Sequence, residues 1–135
     1  MKLLLFILAF VLLFSCKNEE EEYHKAESAI DAGREFIQHS LKGKFNTANR
    51  YMLQDEDNQF WLAKSIQIFN KYSEQEKASF NKASINIAEV SDVIPDSVTI
   101  ISFSNSYRKV PQKLKVIRHN GEWLVDFKYT FSGNL

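Results

Sequence analysis

The groups able to do acid–base or ligand chemistry are few and widely spaced. The 135-residue chain has three histidines, His24, His39 and His119, with no His-x-x-x-His pair, and its Glu21-x-x-His24 falls in an acidic stretch outside any predicted helix. Such spacings place two imidazoles, or an imidazole and a carboxylate, on one helix face around a metal, so their absence from the predicted helices argues against a metal centre. Asp55-x-Asp57 begins like a calcium loop but lacks the Gly and the Glu that complete one; a polar link between helices accounts for it. An isomerase-type reaction needs a pocket carboxylate as base and a hydroxyl or acid facing the developing oxyanion. Asp126 is the candidate base, and Tyr51, Tyr107 and Tyr129 are candidate pocket hydroxyls. Tyr, Arg and Trp side chains at the edge of a core present an apolar body and a polar tip, so Arg118 and Trp123 join the three tyrosines as candidate pocket or rim residues. No Gly-rich phosphate loop occurs, and no Ser or Cys stands in a recognisable nucleophile setting. No cofactor is implied.

The elements that position these groups follow from apolar spacing. Ile30, Gly33, Ile37 and Leu41, with Phe36 beside them, predict a first helix that stops at Lys42-Gly43. Phe45, Ala48, Met52 and Leu53 predict a short second helix, and Asp55 to Asn58 a polar break. Trp61, Leu62, Ile66, Phe69 and Tyr72 predict a third helix from near Gln59 to Tyr72 or beyond. Ser73 to Asn81 is polar without a breaker. From Ser84 the period becomes two: Ile85, Ile87 and Val90 mark a strand closed by Pro95-Asp96. Strands over 98–107, 112–119 and 122–129 follow. The predicted class is α+β, with N-terminal helices packed against a curved four-stranded antiparallel meander.

Asn120-Gly121 is the strongest hairpin signal in the chain. As a two-residue loop it pairs His119 with Glu122, Arg118 with Trp123, Ile117 with Leu124, Val116 with Val125, Lys115 with Asp126 and Leu114 with Phe127. Opposed residues share a face, so Asp126 falls on the face away from Trp123 and Phe127, as a surface ion pair with Lys115. A four-residue loop over 108–111 would put Phe103 opposite Val116 and Ile101 opposite Arg118. Ile117, Leu124 and Ile100 then form an apolar patch on the outer face, through which a homodimer is expected.

Seventeen basic against seventeen acidic residues remove the electrostatic case for nucleic-acid binding, and a single Cys excludes an internal disulfide. Apolar residues are concentrated at the N-terminus: within 1–15 only Lys2 and Ser15 are not apolar. The run Leu3 to Phe14 would span ~18 Å as a helix, short of the ~30 Å hydrocarbon core. It reads as an export signal. Lys17-Asn18 and four consecutive Glu follow the lone Cys16, a solvated tether over 16–25. One domain over 26–135 remains.

Leu13-Phe14-Ser15-Cys16 resembles the lipobox of bacterial lipoproteins. The resemblance implies removal of 1–15, acylation of Cys16, and membrane attachment through two or three chains, which anchor stably where one would not. A Lys followed by acids after the lipid Cys resembles an outer-surface export signal, implying outer-membrane localisation and exposure at the cell surface. Ala29 to Leu53, with its Lys-Gly-Lys-Phe turn and Tyr-Met-Leu ending, and the closing Asn120-Gly121-Glu122-Trp123-Leu124-Val125 resemble the nuclear transport factor 2-like superfamily. That resemblance implies a cone whose curved sheet wraps a long helix and can leave a pocket at the open end. Its members include isomerase-like and cyclase enzymes, ligand binders and assembly modules, so it leaves function open. The expectation is a noncatalytic envelope module that binds a small apolar ligand or a protein partner. The alternatives are a small isomerase, cyclase or hydrolase using a pocket Tyr and carboxylate, or an assembly module dimerising through its sheet.

Overall fold

In the computed structural model, residues 23–132 are described; the apolar run expected to be an export signal, Cys16 and the Glu run lie outside them. Four helices, α1 (Ala29–Leu41), α2 (Phe45–Asn49), α3 (Glu56–Asn70) and α4 (Glu74–Lys82), precede four strands. These are β1 (Ile85–Ile94), β2 (Val98–Asn105), β3 (Gln112–His119) and β4 (Glu122–Asp126), and a 3₁₀ turn over Phe127–Phe131 follows. The strands form one open antiparallel sheet in the order β1-β2-β3-β4. The fold is the expected α+β arrangement of helices on a four-stranded meander.

α1 crosses the inner face of the sheet and sets the core. Ser28 caps it by accepting from the Asp31 N–H at 3.1 Å. Its buried face is Ala29, Ala32, Gly33, Phe36, Ile37 and His39; Ile30, expected inside, is exposed. Small residues let the helix approach: a Cβ on Gly33 would stand 2.7 Å from Ile101 Cδ1. The helix ends as expected. The Lys44 N–H reaches the His39 carbonyl (2.8 Å) and the Gly43 N–H reaches that of Ser40 (3.1 Å), with Gly43 at φ +72°. This is the Schellman pattern that a left-handed Gly permits. Beneath α1 lie Ile101, Phe103, Leu114, Val116 and Val125 of the sheet.

Three boundaries differ from expectation. Asp55 to Asn58 is no loop: Asp55 caps α3, its Oδ1 accepting from the Asn58 N–H at 2.9 Å, so the helix starts at Glu56. The polar stretch after Tyr72 is α4, opened by a full capping box in which Ser73 and Glu76 satisfy each other's backbone N–H. β4 stops at Asp126, and Tyr129 lies in the 3₁₀ turn.

The β3–β4 register follows the Asn120-Gly121 turn from His119↔Glu122 to Lys115↔Asp126. Both loop residues have positive φ, 49° and 77°, as a type I′ turn requires. Leu114 does not extend the ladder to Phe127, which has left the strand. The β2–β3 register is shifted by four residues from the expected one: Phe103 faces Gln112 and Ile101 faces Leu114. β2 stops at Asn105, whose carboxamide oxygen accepts from the N–H groups of Tyr107 (3.1 Å) and Arg108 (2.9 Å), giving a longer link. A slip of even number leaves every side chain on its predicted face. The outer face accordingly carries the row Ile94, Val98, Ile117, Leu124, with Ile100 in the next row.

The outer edge of β4 is partly paired. Val125 donates to the Tyr51 carbonyl (2.7 Å) and accepts from the Leu53 N–H (3.0 Å), so the segment after α2 runs parallel beside it.

Candidate functional site: an aromatic cavity between the helices and the sheet

Phe36, Ile37, Ser40 and Leu41 of α1, Phe45 of α2, and Leu62, Ser65, Ile68 and Phe69 of α3 form one wall of a cavity of about 280 Å³. Tyr72, Phe80, the sheet residues Phe103, Asn105, Gln112 and Leu114, and Phe127, Thr130 and Phe131 complete it. The volume is near the lower end of small-molecule sites. Exposed Ile68, Gln112 and Phe131 stand at its mouth. The rings brace one another: Phe45 and Phe69 meet edge to face at 5.3 Å, Phe36 and Phe127 lie 4.8 Å apart, and Tyr72 stacks on Phe80 at 5.0 Å.

Among the described residues, no Asp, Glu, Lys, Arg or His lines the cavity. The Ser and Thr hydroxyls of its lining are already engaged: Ser40 donates to the Phe36 carbonyl (2.7 Å), Ser65 to that of Trp61 (3.0 Å) and Thr130 to that of Lys113 (2.9 Å). The Tyr72 hydroxyl and the carboxamides of Asn105 and Gln112 form the polar edge. Such a surface favours an uncharged apolar body and opposes a charge, which would lose hydration without gaining a partner.

None of the five candidate pocket or rim residues lines this cavity. Tyr51 is buried on the far side of α1, where its hydroxyl donates to the His24 carbonyl at 3.0 Å and its ring stacks with His39. Burial, and then the Glu35 carboxylate, push its phenol pKa upward. Tyr107 is exposed in the β2–β3 link against Phe80. Arg118 lies over Trp123 at 5.7 Å, as the hairpin register predicted, at the opposite end of the sheet. Tyr129, in the 3₁₀ turn, has the Lys115 ammonium 5.8 Å from its ring.

Asp126 pairs with Lys115 at 3.6 Å, but it is buried rather than on the surface. The reason is Asn58, fully buried at the start of α3. Its Nδ2 donates to Asp126 (3.1 Å) and to Asp55 (2.8 Å), and its Oδ1 accepts from the Lys128 N–H (2.8 Å). That last bond takes a backbone donor and turns the chain out of β4. Lys128 completes the group, 3.2 Å from Asp126 and 3.3 Å from Asp55. Burial pulls the Asp55 pKa upward, and the Asn58 amides with the Lys128 ammonium outweigh it, leaving the carboxyl below the usual range. Burial likewise opposes the charge on Lys128, and Asp126 and Asp55 raise its pKa above the ordinary value. This cluster, buried at Asn58 and Asp126 and open to solvent at Asp55 and Lys128, joins α3 to the end of the sheet, outside the cavity.

His24, Asp31 and Glu35 bring three ligand-type atoms within 4.8 Å of one another where the segment before α1 folds back on it. Existing contacts hold them: His24 pairs with Asp31 at 3.4 Å and Glu35 with His39 at 3.1 Å.

Sequence reasoning missed the residues that line the cavity, and Asn58. Of eleven Phe, three (Phe6, Phe10 and Phe14) lie in the N-terminal run; of the others, all but Phe60 line the cavity. That enrichment was the available signal. For Asn58 it was a polar residue one turn before Leu62, on the face that α3 buries.

Comparison with protein-family models, with curated proteins and with solved structures finds no match to this chain.

Proposed function

We propose that this chain is a lipid-anchored envelope protein whose single domain, of the nuclear transport factor 2-like type, holds a small uncharged apolar ligand and performs no chemistry on it. The carrying observation is the aromatic cavity without an ionisable acid–base pair: Tyr72 is the one titratable residue in its lining. The buried carboxylate that an isomerase-type site would need, Asp126, sits instead in a hydrogen-bonded cluster with Asn58 and Lys128. The anchor rests on Leu13-Phe14-Ser15-Cys16 behind a short apolar run, and the outer membrane facing the cell exterior is its proposed location.

Mass spectrometry of the purified protein should find a neutral aromatic or aliphatic molecule at near-stoichiometric amount. A Ser65→Trp variant, which fills the cavity from α3, should lose it while remaining folded. Retention of the molecule by that variant would place it elsewhere. For the anchor, Cys16→Ser should abolish labelling by a palmitate analogue and release the protein from membranes; continued labelling would sink that reading.

The outer-face row Ile94, Val98, Ile117, Leu124 supports a second reading, self-association through the sheet. Sedimentation as a monomer at high concentration would remove it.

A further inference from the structure

The antiparallel order places the β1–β2 and β3–β4 turns at one end of the sheet, where the Arg118 N–H donates to the Ser97 carbonyl at 2.8 Å. The tip of the β1–β2 hairpin is apolar and bare. Val93 is 60% exposed and Ile94 53%, and Pro95 follows them. β1 bulges between Asp92 and Ile94, and Asp96 takes a positive φ of 57°, so the tip is a shaped protrusion rather than a frayed end. Two exposed carboxylates, Asp92 and Asp96, flank it, and the nearest basic groups are already engaged elsewhere. Lys25 pairs with Glu122 at 3.6 Å, Arg118 covers Trp123, and Asp92 accepts from Thr99 at 2.7 Å.

The described chain also begins at this end. Lys25 meets Glu122 beside the β3–β4 turn, and Tyr23 lies 5.1 Å from Tyr51 under the Arg50 guanidinium. From Cys16 to Tyr23 the contour length is at most about 25 Å. The β1–β2 tip stands three strand spacings from β4, roughly 14 Å. An acylated Cys16 would therefore hold this end within reach of the bilayer.

We propose that the Val93-Ile94-Pro95 tip docks into the interface of the bilayer that anchors Cys16. The proposal rests on the lipid-anchor reading. Three apolar residues are too few to recruit a protein from solution. On a leash of this length the contact is intramolecular and its effective concentration is high, so a weak contact is populated. Because the flanking groups Asp92 and Asp96 are acidic, docking draws on apolar insertion rather than on attraction to anionic lipid, so added salt does not release it. The mouth of the cavity is at the other end of the sheet, with Asn105 and Gln112, and opens away from the membrane.

The test uses the full-length chain, processed in cells and reconstituted into phosphatidylcholine–phosphatidylglycerol vesicles. With Cys16 acylated, Val93→Cys supplies the one free thiol for an environment-sensitive fluorophore. Val110→Cys, equally apolar and 56% exposed in the β2–β3 link at the far end, is the control. Intact mass reports acylation in the same samples. The expected result is a blue-shifted emission at position 93, quenched by nitroxide lipids and not weakened by salt, with water-like emission at position 110. Water-like emission at both positions of an acylated protein would overturn the docking and leave the anchor standing. Protection at position 93 without lipid quenching, together with disulfide-linked dimers, would assign the tip to a second copy of the chain. An unmodified Cys16 would remove the anchor and the docking together.

Discussion

Asn58 couples more of this molecule than any other side chain outside the apolar core. Its amide spans Asp55, Asp126 and the Lys128 backbone, so its removal leaves a buried carboxylate short of a donor and a backbone N–H unpaired. Asn58→Ala should cost roughly 3 kcal/mol, read from the urea midpoint, with Asn58→Asp as harmful because it sets a third carboxylate beside two others. A cost below ~1 kcal/mol would mean that the cluster contributes little. The same cluster sets a pH window. Asp55 has a lowered folded-state pKa, so its contribution is complete above about pH 4 and is lost as pH falls through the lowered value. Lys128 is raised, so its contribution is complete below about pH 10.4 and is lost as pH rises through the raised value. Tyr51, also raised, adds to the alkaline loss above about pH 10. Lys128→Met should flatten both limbs of the stability profile measured by denaturant titration across pH. Limbs identical to those of the parent would contradict the assignment.

At the scale of elements, local signals were legible where one residue type enforces one backbone geometry. Gly43 ended α1, and Asn120-Gly121 produced the β3–β4 register pair by pair. The β2–β3 register was not legible, because an Asn105 side chain that caps its own turn lengthens the link without a Gly or Pro to announce it. α4 was missed although Ser73-x-x-Glu76 was present, since its face is almost wholly polar and only Phe80 is buried. A helix held so lightly by packing depends on its cap. Ser73→Ala should cost about 1 kcal/mol and raise amide exchange first in residues 74–82. Gly43→Ala should cost more: φ is +72°, and the added Cβ would meet the Phe69 ring at 2.7 Å. That loss should appear in thermal unfolding together with weaker ligand retention, because Phe69 lines the cavity.

The whole molecule has two unlike ends. One carries the chain entry and the apolar hairpin tip; the other carries the mouth of an aromatic cavity. A ligand that binds only the folded state stabilises it by about 2.7 kcal/mol at a hundred times its Kd. A neutral aromatic probe should therefore raise the thermal midpoint in a concentration-dependent way, and its carboxylate analogue should not. Equal shifts by the two would show binding at a charged surface rather than in the cavity.

The amino-acid sequence by itself determined the order of helices and strands, the face that each strand buries, the hairpin that closes the sheet and the placement of Cys16 behind a short apolar run. Each is a local consequence of period, turn chemistry or residue type. Only the tertiary structure decided that Asp126 is buried and that Tyr51 lies behind α1. It also showed that seven phenylalanines, each readable as ordinary core, enclose a space that they do not fill. A void belongs to no residue. It exists because α1, α3 and the sheet, fixed by Gly33, Asn58 and the β-ladder, stand too far apart at one end for their side chains to meet.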